Sequence, residues 1–167
     1  MSISIKNRKA SYEYQLINNF TAGICLLGTE IKSIRNNQAN ISDAYCVIID
    51  DEIYVKNLHI TEYSHGGINN HDPKRDRKLL LNRQEINKIL NKVKEKGNAI
   101  IPTRLFINEK GKAKLDISLA KGKKIYDKRE SIKEKDQKRD MERINNIKNE
   151  NKFLYLNINY TNNIFFM

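Results

Sequence analysis

Cysteine and histidine are scarce, with two and three in the whole chain, and their placement excludes most of the chemistry they carry. Cys25 and Cys46 lie in apolar, strand-like runs with no other Cys or His at ligand spacing. Neither a disulfide nor a zinc site is expected, and both residues are read as buried thiols. His59, His65 and His71 follow no helical spacing and lack partners for a metal. A glycine-rich phosphate loop, a nucleophile elbow and a cysteine–histidine couple are also missing, so no enzyme is expected. Long apolar runs are lacking as well. Stretches such as Ala22 to Leu27 are far too short to span a bilayer, and Met1 to Arg8 has no apolar segment behind its charges. The expectation is a cytoplasmic chain that needs no cofactor, metal or membrane. The Asn-x-Ser/Thr triplets at Asn19, Asn40 and Asn159 matter only in a secreted protein.

Positive charge is what the sequence has in excess. The net charge is +11 over 167 residues, a field whose natural ligands are polyanions, nucleic acid first among them. An excess of Lys, Asn and Ile together also arises from codon bias, so position counts for more than the total. The cations cluster at Lys6, Arg8 and Lys9, at Lys74 to Lys78, and at Lys121 to Arg129, as a binding footprint requires.

The hydrophobic pattern predicts a mainly β chain. Tyr12, Tyr14 and Leu16 alternate with polar residues, and after Asn18-Asn19 the run Phe20 to Leu27 follows, which reads as two paired strands ending at Gly28. Ala44 to Ile49 and Ile53 to Leu58 flank Asp50-Asp51 as a second hairpin. Ala99 to Ile107 and Lys112 to Leu119 enclose Asn108 to Gly111 as a third with one polar face. Asn82 with Glu85 forms a capping box ahead of the apolar stripe Ile86, Ile89, Leu90 and Val93, and Gly97 closes that helix. Thr29 to Arg35 reads as a shorter helix that carries Lys32 and Arg35. The expected fold is a closed antiparallel barrel of oligonucleotide-binding type, with about six strands and flanking helices, since closure removes exposed sheet edges. The barrel is expected over residues 1–125. A charged tail follows over 126–151, too sparse in apolar residues to pack alone and suited to folding on a partner. An apolar, Asn-rich extension occupies 152–167 and suggests no role.

Within Asn70 to Leu81, Lys74, Arg75, Arg77 and Lys78 surround or follow Pro73 and lead into three leucines. That arrangement presents guanidinium forks to phosphates; a solvated basic loop is the plainer alternative. Three segments resemble the small protein B family: Gly28 to Arg35 with Ala39 to Tyr45, His71 to Leu81, and Ala120 to Arg129. The similarity runs colinearly from about Asn7 to Asn146.

The resemblance implies an oligonucleotide-binding barrel that grips the elbow of the tRNA-like domain of transfer-messenger RNA (SsrA). It also implies a basic tail that enters the small-subunit decoding centre and message channel of stalled bacterial ribosomes, helical once there, in the rescue process of trans-translation. Elongation factor Tu would be involved only indirectly, and a monomer is expected. Leu80 and Lys114 match family positions that hold the RNA. Thr21 stands where the family usually places Glu in its RNA grip. Lys6, Arg8, Lys9, Lys32, Arg35, Lys74, Arg75, Arg77, Lys78 and Lys121 complete the expected RNA contacts. The stretch Gly122, Lys123, Lys124, Tyr126, Asp127, Lys128 and Arg129 matches the one that reports to the decoding centre. The alternative is a general single-strand or RNA-binding protein of the same barrel class.

Overall fold

The computed structural model describes residues 3–95 and 97–124, together with Gln137, Arg139, Met141 and Arg143. The chain divides into the units Met1–Lys123 and Lys124–Met167. Elements follow in the order β1 (Ser4–Lys6), α1 (Arg8–Glu13), β2 (Tyr14–Ile24), α2 (Gly28–Arg35), β3 (Ala39–Asn40), β4 (Tyr45–Ile49), β5 (Glu52–Lys56), β6 (His59–Ile60), a 3-10 turn (Gly67–Asn69), β7 (Arg77–Leu80), α3 (Arg83–Val93), β8 (Asn98–Ile107) and β9 (Ala113–Gly122). Every pairing is antiparallel. The main sheet runs β1-β8-β4-β5-β7-β2-β9, β9 pairs again with β8, and β3 pairs with β6. In the second unit Lys124 and the four described residues beyond it are exposed, and those four are helical.

Local chemistry accounts for the best-read elements. At the β4–β5 turn Asp50 and Asp51 have φ of 49° and 59°, the left-handed pair that matches the twist of a two-residue hairpin. Asn82 begins α3, and its N–H donates to Glu85 Oε2 at 3.0 Å; Ile86 and Ile89 point into the core. β8 accommodates Pro102 because the register with β9 shifts between Pro102 and Arg104, where a missing ladder donor is tolerated. Alternate residues of the strands fill one core: Ala22, Ile53, Val55, Leu105, Leu115 and Ile117 are all fully buried, and Ile34 of α2 joins them.

Several expectations need correction. Tyr12 to Leu27 is not two paired strands. Asn7 caps α1 by accepting the Ala10 N–H at 3.0 Å, so Tyr12 belongs to a helix, and β2 runs unbroken from Tyr14 to Ile24. The Asn18-Asn19 pair does not break it. The register to β9 slips between Leu16 and Asn18, and Asn18 is used there: its side chain accepts from Lys92 Nζ at 2.8 Å and its carbonyl from Ser118 Oγ at 3.0 Å. Strand β7 was not expected, because its first residue is an arginine in a run of charges. Cys25 lies just past the end of β2 and is exposed rather than buried. Cys46 is buried, and burial pushes its thiol pKa up, which keeps it inert.

Candidate nucleic-acid interface

Register sets two rows of side chains across the outward face of β7, β2, β9, β8 and β1. In the first, Leu80 is opposite Gly23, Gly23 opposite Lys114, Lys114 opposite Phe106, and Phe106 opposite Ser4. The adjacent row runs Thr21, Asp116, Arg104 and Lys6. Residues two apart on a strand share a face, and the intervening Ala22, Leu115 and Leu105 are fully buried.

Each member of these rows has a physical setting. A Cβ on residue 23 would lie 3.2 Å from Leu80 Cβ, so glycine there leaves room for the leucine, which is 53% exposed. Thr21 Oγ1 donates to Asp116 Oδ1 at 2.7 Å, and Arg104 Nε donates to Asp116 Oδ2 at 2.8 Å. The Arg104 guanidinium sits 4.3 Å from the centre of the Phe106 ring, a cation–π contact worth about 0.5–1 kcal/mol at an exposed site. Among the described residues Lys114 makes no ion pair.

Thr21, Lys78, Leu80 and Lys114 line one open groove of about 530 Å³, together with Glu52, Arg83 and Glu85. Leu80 and Lys114 also line its neighbour of about 470 Å³, with Leu26, Ile31 and Gly111. A lysine free to take a phosphate, an exposed leucine and an aromatic ring under an arginine are the groups that hold a folded RNA by backbone and unpaired base.

The remaining expected residues are dispersed. Arg35 donates to the Gly111 carbonyl at 3.3 Å beside the second groove, and Lys32 Nζ lies 5.1 Å over the Tyr63 ring. Lys6 ends the second row, and Arg8 and Lys9 are exposed on α1, with Lys9 3.0 Å from Asp43. Lys74 lines a separate polar groove with Asn40, Asp43, Asn57 and His59. Lys121 and Gly122 are exposed at the end of β9, Lys123 N–H donates to the Glu13 carbonyl at 2.9 Å, and Lys124 is exposed. Tyr126, Asp127, Lys128 and Arg129 lie outside the described residues.

Arg77 is a correction. It is fully buried and cannot meet RNA. Its Nε donates to Glu30 Oε1 at 2.8 Å and its Nη1 to the Leu58 carbonyl at 2.6 Å. Arg75, in the segment leading into β7, donates to the same carboxylate at 2.8 and 2.6 Å, so it too serves the fold. Glu30 also accepts the Leu27 N–H at 2.7 Å at the start of α2. Burial alone would raise the Glu30 pKa, but the hydrogen bonds from Arg75, Leu27 N–H and Arg77 and the charge of Arg77 outweigh it and hold it below the ordinary value. His71 is buried likewise, its ring nitrogens 2.9 Å from Thr29 Oγ1 and 3.1 Å from the Ile60 carbonyl. The pattern of the third hairpin contained a signal for the two missed residues: Arg104 and Phe106 flank buried Leu105 and so face outward.

A small, basic, mainly β protein with an outward cation–aromatic face is the class these features define. The family model described as "SmpB protein" matches residues 4–147. An SsrA-binding protein of Bacteroides thetaiotaomicron is 57% identical over 143 residues, 86% of this chain and 95% of the relative. That of Syntrophobacter fumaroxidans is 47% identical over 83% of this chain and 86% of its own. A solved structure described as "tmRNA-SmpB: a journey to the center of the bacterial ribosome" superposes with a TM-score of 0.63 at 39% identity, covering 74% of this chain and 86% of that one. The chain belongs to the SmpB family of SsrA-binding proteins.

Proposed function

We propose that the chain binds the tRNA-like domain of transfer-messenger RNA through the Thr21–Leu80–Lys114 face and accompanies it to stalled ribosomes in trans-translation. It acts there as an RNA-binding protein and not as an enzyme. The observation that carries this reading is the convergence of Thr21, Lys78, Leu80 and Lys114, drawn from β2, β7 and β9, on one groove. The return pairing of β9 with β8 supports a closed barrel of oligonucleotide-binding type as the scaffold. The tail is assigned to the decoding centre and message channel, and the helical residues at 137, 139, 141 and 143 support a helix there. None of the described helices is long and apolar enough to cross a membrane, and a role on ribosomes supports a cytoplasmic location.

Replacing Lys114 with Ala is expected to weaken binding to the tRNA-like domain and make its salt dependence shallower by about one unit of slope, as one lost phosphate contact requires. A filter-binding or fluorescence titration over a salt series measures both. An unchanged slope removes Lys114 from the contact surface. Phe106 under Arg104 also suits any unpaired base, which favours a general single-strand binder as the second reading. Competition between the tRNA-like domain and an unstructured oligonucleotide of equal length separates the two, since a shape-specific face prefers the folded RNA.

A further inference from the structure

The Lys78–Lys114 groove contains three cations, and two of them are already neutralised from one source. Lys78 Nζ is 3.1 Å from Glu52 Oε1, and Arg83 Nη2 is 3.2 Å from Asp51 Oδ2. Arg83 also donates to the Asp51 carbonyl at 3.2 Å. Both carboxylates belong to the tip of the β4–β5 hairpin. Both pairs are well solvated, with 36% to 64% of each side chain exposed, so they are weak and exchangeable. Lys114 alone among the groove's described cations is in no ion pair. At the hairpin tip Asp50 and Asp51 both hold positive φ, a conformation that Asp tolerates.

We propose that Asp51 and Glu52 are an electrostatic guard on the RNA groove that lowers its affinity for RNA. They occupy Lys78 and Arg83 so that an arbitrary RNA finds one free cation, whereas an RNA whose shape seats it fully against Leu80 and Lys114 brings its phosphates close enough to displace both carboxylates. This inference rests on the assignment of the groove to RNA. The guard lowers affinity for every RNA that reaches Lys78 and Arg83, by at most the free energy of the two solvated pairs that must be broken.

The test is the double variant Asp51→Asn, Glu52→Gln. Asn is at home at positive φ, and the backbone carbonyl that accepts from Arg83 is retained. Titration of the full-length protein against an elongator tRNA should show about a threefold or larger gain in affinity at low salt and a slope steeper by about one to two units. The gain for the tRNA-like domain should be at least as large, since an RNA that seats fully bears the whole cost of displacing both carboxylates. Glu52→Gln alone should steepen the slope by about half as much. The gain must vanish when Lys78 and Arg83 are both Ala, since it acts through them.

An unchanged slope overturns the guard, and so does a gain that persists in the Lys78→Ala, Arg83→Ala background, which would reflect net charge alone. Lys114→Ala measured in the same series separates the two levels of the argument. If it leaves binding untouched, the groove is not the RNA face and the guard falls with that assignment. If it weakens binding while the double variant changes nothing, the groove assignment stands and only the guard fails.

Discussion

Replacing Glu30 with Gln is expected to destabilise the protein by about 3–5 kcal/mol, the usual cost of breaking a buried ion pair and stranding its partner. The partner is Arg77, which is fully buried and whose remaining hydrogen bonds go to the neutral carbonyls of Leu58, Arg75 and Pro73. For a chain of this size such a loss lowers Tm by on the order of 10 °C. Glu109→Gln, on the exposed β8–β9 turn, should stay within about 0.5 kcal/mol and serves as the control. The pH dependence has a definite sign. The folded pKa of Glu30 lies below its ordinary value of 4.5, so the carboxylate's contribution is complete above that value and is lost as pH falls through the folded one. Urea midpoints taken from neutral pH downwards should show acid sensitivity in the wild type that is blunted in the variant. Equal midpoints at neutral pH would mean that Arg77 does not need its carboxylate.

Ending the chain after Lys124 is expected to leave affinity for the tRNA-like domain nearly intact and to abolish tagging of stalled products. Both rows of the candidate interface precede Lys124. The field that attracts RNA stays as well, because residues 125–167 hold nine Lys and Arg against seven Asp and Glu and so contribute little of the net +11. What is lost is the segment assigned to the ribosome. Binding titration and a reconstituted tagging reaction on the same preparation measure the two halves. Loss of RNA binding on truncation would mean that the division of labour between barrel and tail is wrong.

The sequence was most legible where one local signal fixed an element. The capping box and apolar stripe of α3, the two-residue turn at Asp50-Asp51 and the alternation of Leu115, Ile117 and Leu119 each needed only near neighbours. β7 was illegible for the opposite reason. Arg77 looks like surface until Glu30, 47 residues earlier, is known to sit inside, and no local pattern reports a partner that distant. The start of β2 misled because Tyr12, Tyr14 and Leu16 alternate like a strand, whereas the cap made by Asn7 places Tyr12 in a helix. Cys25 reads as core only if β2 is assumed to continue past Ile24.

The interface was half legible. Leu80 and Lys114 were singled out by resemblance alone, because their proximity depends on Gly23 lying between them in the register. Arg104 and Phe106 were visible as outward positions of a predicted hairpin, but nothing in the sequence marked that face as the one shared with Lys114. Basic clusters proved a blunt guide: one held the buried Arg77, and another placed Lys9 against Asp43.

The most direct test of the account is a salt-series titration of the intact protein against the tRNA-like domain and against an ordinary elongator tRNA. Electrostatic attraction fades for both as salt rises, while shape recognition at the Leu80–Lys114 face does not. The account predicts a preference for the tRNA-like domain that survives at raised salt. Equal affinities that collapse together would contradict it and leave a basic β protein that binds any RNA.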